Sequence, residues 1–164
     1  MFGKGVILLR TFSALKGLPV YEKNAAGQIG KVIDLIIANQ TIHGLLVDWK
    51  GFLRGHQIIP IEAICSIGED GIILHQAEPC VPFFHRKKDW NTMCHRQCAI
   101  KGKPLLKQNG QKMGLVEDVY FEEESGRMLG IIVTDGWFSD ITEGQKQIDV
   151  TTNLTIGKDA LLVE

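Results

Sequence analysis

The chain contains an internal repeat. Residues 15–37 (LKGLPVYEKNAAGQIGKVIDLII) and residues 100–121 (IKGKPLLKQNGQKMGLVEDVYF) are two versions of one stretch. Two further matches follow in the same order, HGLLVD (43–48) with LGIIVTD (129–135) and SIGEDGIIL (66–74) with TIGKDALLV (155–163). Ordered matches of this kind indicate a tandem duplication of one unit. The matched positions include Gly17, Pro19, Gly30 and Asp34 in the first copy and Gly102, Pro104, Gly114 and Asp118 in the second.

Each copy has the pattern of short strands. KVIDLII and LVEDVYF are rich in β-branched and aromatic residues and are too short for confident helices. Turn sequences such as KNAAG, KQNG and GED recur between the apolar runs, and only PIEAI (60–64) is typical of a helical turn. A unit of about sixty residues cannot stack two large sheets, whereas closing into a barrel removes exposed strand edges. We therefore predict an all-β protein of two tandem β-barrels, at residues 13–76 and 99–164, with an ordered linker at 77–98.

The order of these motifs resembles a known family. The string LKGLPVY, GQIGKVIDL, GLLVD, GF and IIPIEAICSIGEDGIIL is similar to the PRC-barrel, a small β-barrel found in the cytoplasmic part of the photosynthetic reaction-centre H subunit and in a ribosome-maturation factor. The second copy departs from the pattern after Trp137, where the Pro-Ile-Glu turn is absent. Two barrels with nothing else resemble uncharacterised bacterial proteins of this family. The resemblance implies a binding module and implies no reaction.

Composition excludes several classes of protein. The chain is 45% hydrophobic and 23% charged, as folded globular proteins are. Eighteen basic and nineteen acidic residues leave a net charge of -1, which provides no general attraction for nucleic acid. No apolar run is long enough to span a membrane, and Arg10 ends the N-terminal apolar stretch before it could serve as a secretory signal. We therefore expect a cytoplasmic protein whose four cysteines are thiols.

The linker contains the candidate metal ligands. Cys94 and Cys98 have the spacing of a zinc knuckle, and Cys80 with His85 would form the second pair. Neither pair has the glycine turn of a knuckle, and the C-x-x-x-C spacing is not that of a redox dithiol. We therefore predict free thiols at Cys94 and Cys98, no metal and no cofactor, with a metal- or redox-sensing module as an alternative.

No arrangement in the sequence is typical of an active site. The motifs of serine hydrolases, zinc proteases and nucleotide-binding loops are all missing. Asp34 and Asp118 lie at equivalent places inside apolar strands, and a carboxylate repeated in both copies is better explained by backbone amides that it accepts. His43 corresponds to an apolar residue of the second copy, Leu129, which favours a structural imidazole. We predict no catalytic residue.

Two aromatic loops are the candidate contact surfaces. Residues 48–53 carry Trp49 and Phe52, and residues 135–139 carry Trp137 and Phe138, each after a central apolar strand. Such rings are common at interaction hot spots, but one ring of each pair could equally fill the end of its barrel. We expect a protein partner and no catalysis. A second copy of this chain is one candidate for that partner. The alternative is an RNA- or ribosome-associated assembly factor.

Overall fold

The protein is built of short strands with almost no helix. The structure is a computed structural model that describes residues 6–51, 55–76, 80–135, 144–150 and 153–164. In these ranges the elements are, in chain order, β1 (Leu9–Thr11), α1 (Phe12–Leu15), β2 (Pro19–Glu22), β3 (Gln28–Ala38), β4 (Thr41–Trp49), β5 (His56–Pro60), β6 (Ile64–Ile67), β7 (Ile72–Leu74), β8 (Val81–Pro82), β9 (Asn91–Thr92), β10 (Pro104–Lys107), β11 (Lys112–Glu122), β12 (Met128–Thr134), β13 (Gln145–Asp149), β14 (Leu154–Ile156) and β15 (Leu161–Val163).

The first copy forms one sheet in the order β6-β7-β2-β3-β4-β5-β8, with β9 on the side of β3. Strands β2 and β7 are parallel, and β3 and β4 form a long antiparallel hairpin. A single 3-10 turn, Ile61–Ala63, joins β5 to β6, so the strand at one end of the order follows directly on a strand near the other end. This turn lies where PIEAI predicts a helical turn.

The second copy repeats this arrangement. Its order is β13-β12-β11-β10-β15-β14, in which β10 and β15 are parallel as β2 and β7 are. The all-β prediction and the two tandem domains are therefore confirmed.

The repeated glycines mark a close approach of strands. A Cβ on Gly30 would lie 2.4 Å from the Asp48 carbonyl oxygen, and one on Gly114 would lie 2.8 Å from the Thr134 carbonyl oxygen. Real Cβ atoms do not approach backbone so closely, and only glycine lacks the atom. The same packing constraint therefore explains why both copies have glycine at this place.

The segments before each barrel are exchanged between the two sheets. We call residues 9–15 the first arm and residues 91–100 the second arm. Strand β1 of the first arm precedes the first barrel but pairs with β11 of the second, with Thr11 opposite Tyr120. Strand β9 of the second arm precedes the second barrel but pairs with β3 of the first, with Thr92 opposite Ile36. Tyr120 and Ile36 each stand two residues after the repeated aspartate, so the exchange follows an approximate two-fold relation.

The division of the chain into 13–76, 77–98 and 99–164 stays a prediction, and the exchanged arms cross two of its boundaries. The boundary at residue 13 falls inside α1, and the segment at 77–98 contributes β8 and β9 to the sheet of the first barrel. The reason is that each sheet binds a short strand from outside its own repeat.

The tip of the β3–β4 hairpin of the first barrel forms hydrogen bonds with the second barrel. Asn39 and Gln40 have positive φ angles, 48° and 60°, as a tight two-residue hairpin loop requires. The Gln40 carbonyl oxygen accepts the Met128 amide at 3.0 Å, its side-chain amide donates to the Val150 carbonyl oxygen at 3.0 Å, and its Oε1 accepts the Leu154 amide at 3.2 Å. One hydrophobic core cluster includes buried residues of both barrels. The barrels are thus joined by a continuous core as well as by polar contacts.

Candidate interaction surface

The buried aspartate of the first barrel holds the second arm in place. Asp34 is almost fully buried, and its carboxylate accepts the backbone amides of Leu35 at 2.7 Å, Met93 at 2.7 Å and Cys94 at 2.8 Å. Burial raises the pKa of Asp34, and the amide hydrogen bonds oppose that rise. All three hydrogen bonds link the carboxylate to backbone, which is the geometry of a structural residue.

Asp118 makes the equivalent contacts in the second barrel, with a longer hydrogen bond to the arm. Asp118 accepts the Val119 amide at 2.8 Å and the Ser13 amide of the first arm at 3.2 Å. A threonine also stabilises the turn of each arm: Thr11 Oγ1 accepts the Ala14 amide, and Thr92 Oγ1 accepts the His95 amide. The described contacts thus agree with the structural interpretation of the two aspartates.

Of the four aromatic candidates, only Trp49 lies in the described residues. Trp49 is 8% exposed and belongs to the main core cluster. Its ring fills the first barrel, the second of the two alternatives, and offers almost no surface to a partner. The burial of Trp49 therefore contradicts its expected role in a contact surface and agrees with the alternative that its ring fills the barrel. Phe52, Trp137 and Phe138 lie outside the described residues, so their contact role stays a prediction.

The segment between the barrels covers one face of the first barrel. Phe83 is buried against Ile36, Leu46 and Ile58, which point outward from strands β3, β4 and β5. Sequence reasoning missed this cover, although three apolar residues on the outer face are a signal that something must pack there. The equivalent positions of the second barrel are Tyr120, Ile132 and Gln147, by the register of its strands. Gln147 is polar and exposed, and the buried Tyr120 has its hydroxyl bonded to Asp149, so this outer face is less apolar than that of the first barrel.

His95 packs among other rings of the same segment. Its ring centroid lies 4.9 Å from that of Phe83 and 5.1 Å from that of His56, both in edge-on geometry. Burial is the main reason that the pKa of His95 is lowered, and the neighbouring His56 and Arg96 add to the effect. His43 stacks on Trp90 with centroids 5.8 Å apart. These contacts are packing contacts.

The candidate metal ligands are not brought together. Among the described residues, no three His, Cys, Asp or Glu side chains form a group that could hold a metal ion. Cys94 is an exposed residue whose thiol is partly desolvated near Asp34, and this desolvation together with the Asp34 charge raises the pKa of the Cys94 thiol. Cys98 Sγ instead donates to the His95 carbonyl oxygen at 3.4 Å. Cys80 and His85 lie at the start of the segment, and none of the four cysteines of the chain, all within described ranges, forms a disulfide.

A groove lies where the two barrels meet, and we call it the junction groove. Its volume is about 640 Å³, and its apolar lining is Val6, Ile7, Leu8, Ile61 and Ile64. The chain before β1 is strongly exposed here, with Val6 84% accessible. Sequence reasoning missed this groove because its walls come from the N-terminus, the first barrel and the second barrel.

The rim of the junction groove is acidic. Glu62, Glu122, Glu123 and Glu124 line it. Glu123 is bound by the Arg10 guanidinium at 2.7 Å and accepts the Ile67 amide at 3.3 Å, so it serves the contact between barrels. Glu62 and Glu124 are exposed and make no ion pair with any described residue. The groove therefore combines apolar surface with uncompensated negative charge.

An exposed feature of the opposite charge projects from the segment between the barrels, and we call it the basic knob. Phe84 is 76% exposed, next to the buried Phe83. It is followed by Arg86, Lys87 and Lys88. Lys88 makes no ion pair within the described part of the chain. A large exposed ring beside basic side chains is a second candidate contact site.

The comparisons with known proteins agree with this architecture. No helix in the described ranges is long and apolar enough to cross a membrane. The chain is 27% identical over 159 residues to a Bacillus subtilis (strain 168) protein named "Uncharacterized protein YrrD", a match covering 94% of this chain and 87% of that protein. The family model of the PRC-barrel domain matches residues 10–78 and again residues 95–164. With both halves matched, this chain belongs to the PRC-barrel domain family.

Proposed function

We propose that this chain is a non-enzymatic protein-binding module, an adaptor of two PRC-type barrels, whose contact surface is the junction groove. The observation that carries the proposal is the groove itself, where exposed apolar side chains of the N-terminal stretch lie beside a row of glutamates. Seven large apolar side chains are exposed in the described part of the chain, and four of them are consecutive: Val6, Ile7, Leu8 and Leu9. Apolar surface concentrated in this way, with a polar rim, is typical of protein contact sites.

The geometry of the strand beside the groove supports the same proposal. Strand β1 pairs with β11 along one edge, and no described strand pairs with its other edge. An unpaired edge can accept backbone hydrogen bonds from a partner. The contact would thus combine apolar burial with main-chain recognition.

We also propose that the protein has no catalytic activity. The two buried carboxylates, Asp34 and Asp118, are engaged by backbone amides, and the histidines His43 and His95 pack against aromatic rings. We propose a cytoplasmic location on the same terms, since all four cysteines are free thiols, as is usual in a reducing compartment.

The experiment is photo-crosslinking in living cells of the source organism. A photoreactive amino acid replaces Glu62 in the groove in one variant and Lys112, an exposed residue of the second barrel, in a control variant. We expect discrete protein adducts from position 62 and none from position 112. If position 62 gives no protein adduct, or the same adducts as position 112, the proposed function is wrong.

A second function is favoured by one observation. In the basic knob the exposed Phe84 is close in sequence to Arg86, Lys87 and Lys88. Single-stranded nucleic acid is often held by an aromatic ring on which a base stacks, together with basic side chains that bind the phosphates. This supports an RNA- or ribosome-associated assembly factor. The acidic groove and the net charge of -1 weigh against it. Adducts from a photoreactive group at position 87 that disappear with nuclease would favour this alternative.

A further inference from the structure

We propose that the occupant of the junction groove is a second copy of this chain, which inserts its basic knob. The inference rests on the proposed function, because it names the partner of the same groove. Phe84 of one protomer would enter the apolar lining, and its basic neighbours would meet the glutamates of the rim. Each protomer would offer one knob and one groove.

The apolar parts of the two surfaces match in kind. Phe84 is 76% exposed, and its neighbour Phe83 is fixed in the core cluster over β5. Because Phe83 anchors the segment, Phe84 loses little freedom when it binds, and a preorganised aromatic ring is the usual anchor of an interface. The groove offers aliphatic lining, from Ile61 and Ile64 among others, to receive such a ring.

The charged parts are complementary. On the groove, Glu62 and Glu124 have no ionic partner among the described residues, and on the knob Lys88 has none either. Opposed charges at the rim fix orientation and speed association. The same charges argue against a dimer in which two grooves face each other, because that arrangement would bring the glutamates of both copies together.

Both features are attached to one strand. Strand β8, which begins the segment that carries the knob, pairs with Gln57 and Ile58 of β5, and the groove is lined by residues that follow the end of β5 at Pro60. If a two-fold axis relates the two protomers, the knob of each protomer enters the groove of the other, and the contact is made twice. Self-complementary pairing of this type is the commonest form of homodimer. Using both contacts also doubles the area buried, which a single small knob would not supply.

Sedimentation equilibrium of the purified full-length chain tests the proposal. At low salt and about 100 µM protein, we expect a monomer–dimer equilibrium that weakens several-fold when NaCl is raised from about 50 mM to about 500 mM. Phe84→Ser should raise the dimer dissociation constant at least about tenfold while leaving the melting temperature unchanged, because the ring is exposed.

Charge reversal distinguishes this mode from other dimers. Glu124→Lys and Lys88→Glu should each prevent self-association, whereas the matched controls Glu69→Lys and Lys112→Glu, at exposed positions outside both features, should not. In an equimolar mixture of the Glu124→Lys and Lys88→Glu proteins, a heterodimer can form. One of its two knob–groove contacts has the wild-type charges, and the other has both charges reversed. The mixture should therefore form a heterodimer that neither variant forms as a homodimer.

Three results would overturn the inference. The first is a wild-type chain that stays monomeric at about 100 µM in low salt. The second is a dimer that survives Phe84→Ser and both charge reversals. The third is a mixture that remains monomeric. If these occur while position 62 still crosslinks to other proteins, the proposed function stands and only the identity of the partner is wrong; if position 62 also gives no protein adduct, both fail.

Discussion

Removing the carboxylate of Asp34 should destabilise the protein more than removing that of Asp118. In Asp34→Ala three amides lose their acceptor. Cys94 is exposed, so water can replace the carboxylate at its amide, but the Leu35 and Met93 amides are buried. A buried amide left unpaired costs about 1–3 kcal/mol; at about 1–2 kcal/mol each, two of them predict a loss of about 2–4 kcal/mol.

Asp118→Ala is the matched control at the equivalent place. Only the Val119 amide is both buried and well bonded, since Ser13 is exposed and its amide lies 3.2 Å from the carboxylate. One unpaired amide predicts a loss of about 1–2 kcal/mol. Asp34→Asn keeps one acceptor oxygen and should lie between wild type and Asp34→Ala, with more effect on stability than on binding.

Equilibrium unfolding in urea measures these differences. With a slope of about 2 kcal/mol per molar, Asp34→Ala should lower the midpoint by about 1–2 M and Asp118→Ala by about half as much, 0.5–1 M. The reasoning is refuted if Asp118→Ala loses as much as Asp34→Ala, or if Asp34→Ala loses less than about 1 kcal/mol.

Three further predictions concern packing and pH. Trp49→Ala should lower the free energy of unfolding by about 3–5 kcal/mol in urea titrations, because the ring fills the first barrel, and a loss below about 1 kcal/mol would contradict this. Gly126→Ala should lower the melting temperature by several degrees, since its Cβ would lie 2.2 Å from the Ile42 carbonyl oxygen at a φ of 73°; Gly27→Ala, with open space around it, is the control and should change little. Because burial lowers the pKa of His95 in the folded protein, the stability gained from its neutral ring is present above about pH 6.5 and is lost as pH falls through the folded value. The urea midpoint should therefore fall less between pH 7 and pH 5 in His95→Phe than in wild type, and equal falls would contradict the assignment.

The repeat predicted the fold because its signals are local. Glycines at positions 30 and 114 lie where strands approach closely, and the aspartates at 34 and 118 lie in long strands of both copies. A duplicated sequence must repeat its local geometry, so these features could be predicted from residues alone.

The exchanged arms could not be predicted in the same way. Strand β1 has three residues, and its salt bridge joins Arg10 to Glu123, more than a hundred positions away. Short strands carry little periodicity, so their sheet is chosen by tertiary contacts. A partial signal existed in the threonines that precede each copy, Thr11 and Thr92, but an insertion in the second arm obscures their alignment.

The candidate site was less predictable than the fold. The sequence leaves two places open for the Trp49 ring, an exposed contact loop and the interior of the barrel, and the structure buries it in the main core cluster. The junction groove and the covering role of Phe83 depend on how distant segments pack, and no local pattern specifies that packing.

The central claim is that the two barrels form one interlocked unit, which builds the groove between them. Native-state hydrogen exchange in increasing urea tests this claim most directly, with amides of β3 reporting on the first barrel and amides of β11 on the second. The exchanged arms predict that the most protected amides of both strands open with the same free energy, equal to that of global unfolding. If the amides of β11 open at lower urea while those of β3 stay protected, the barrels are independent and the claim is contradicted.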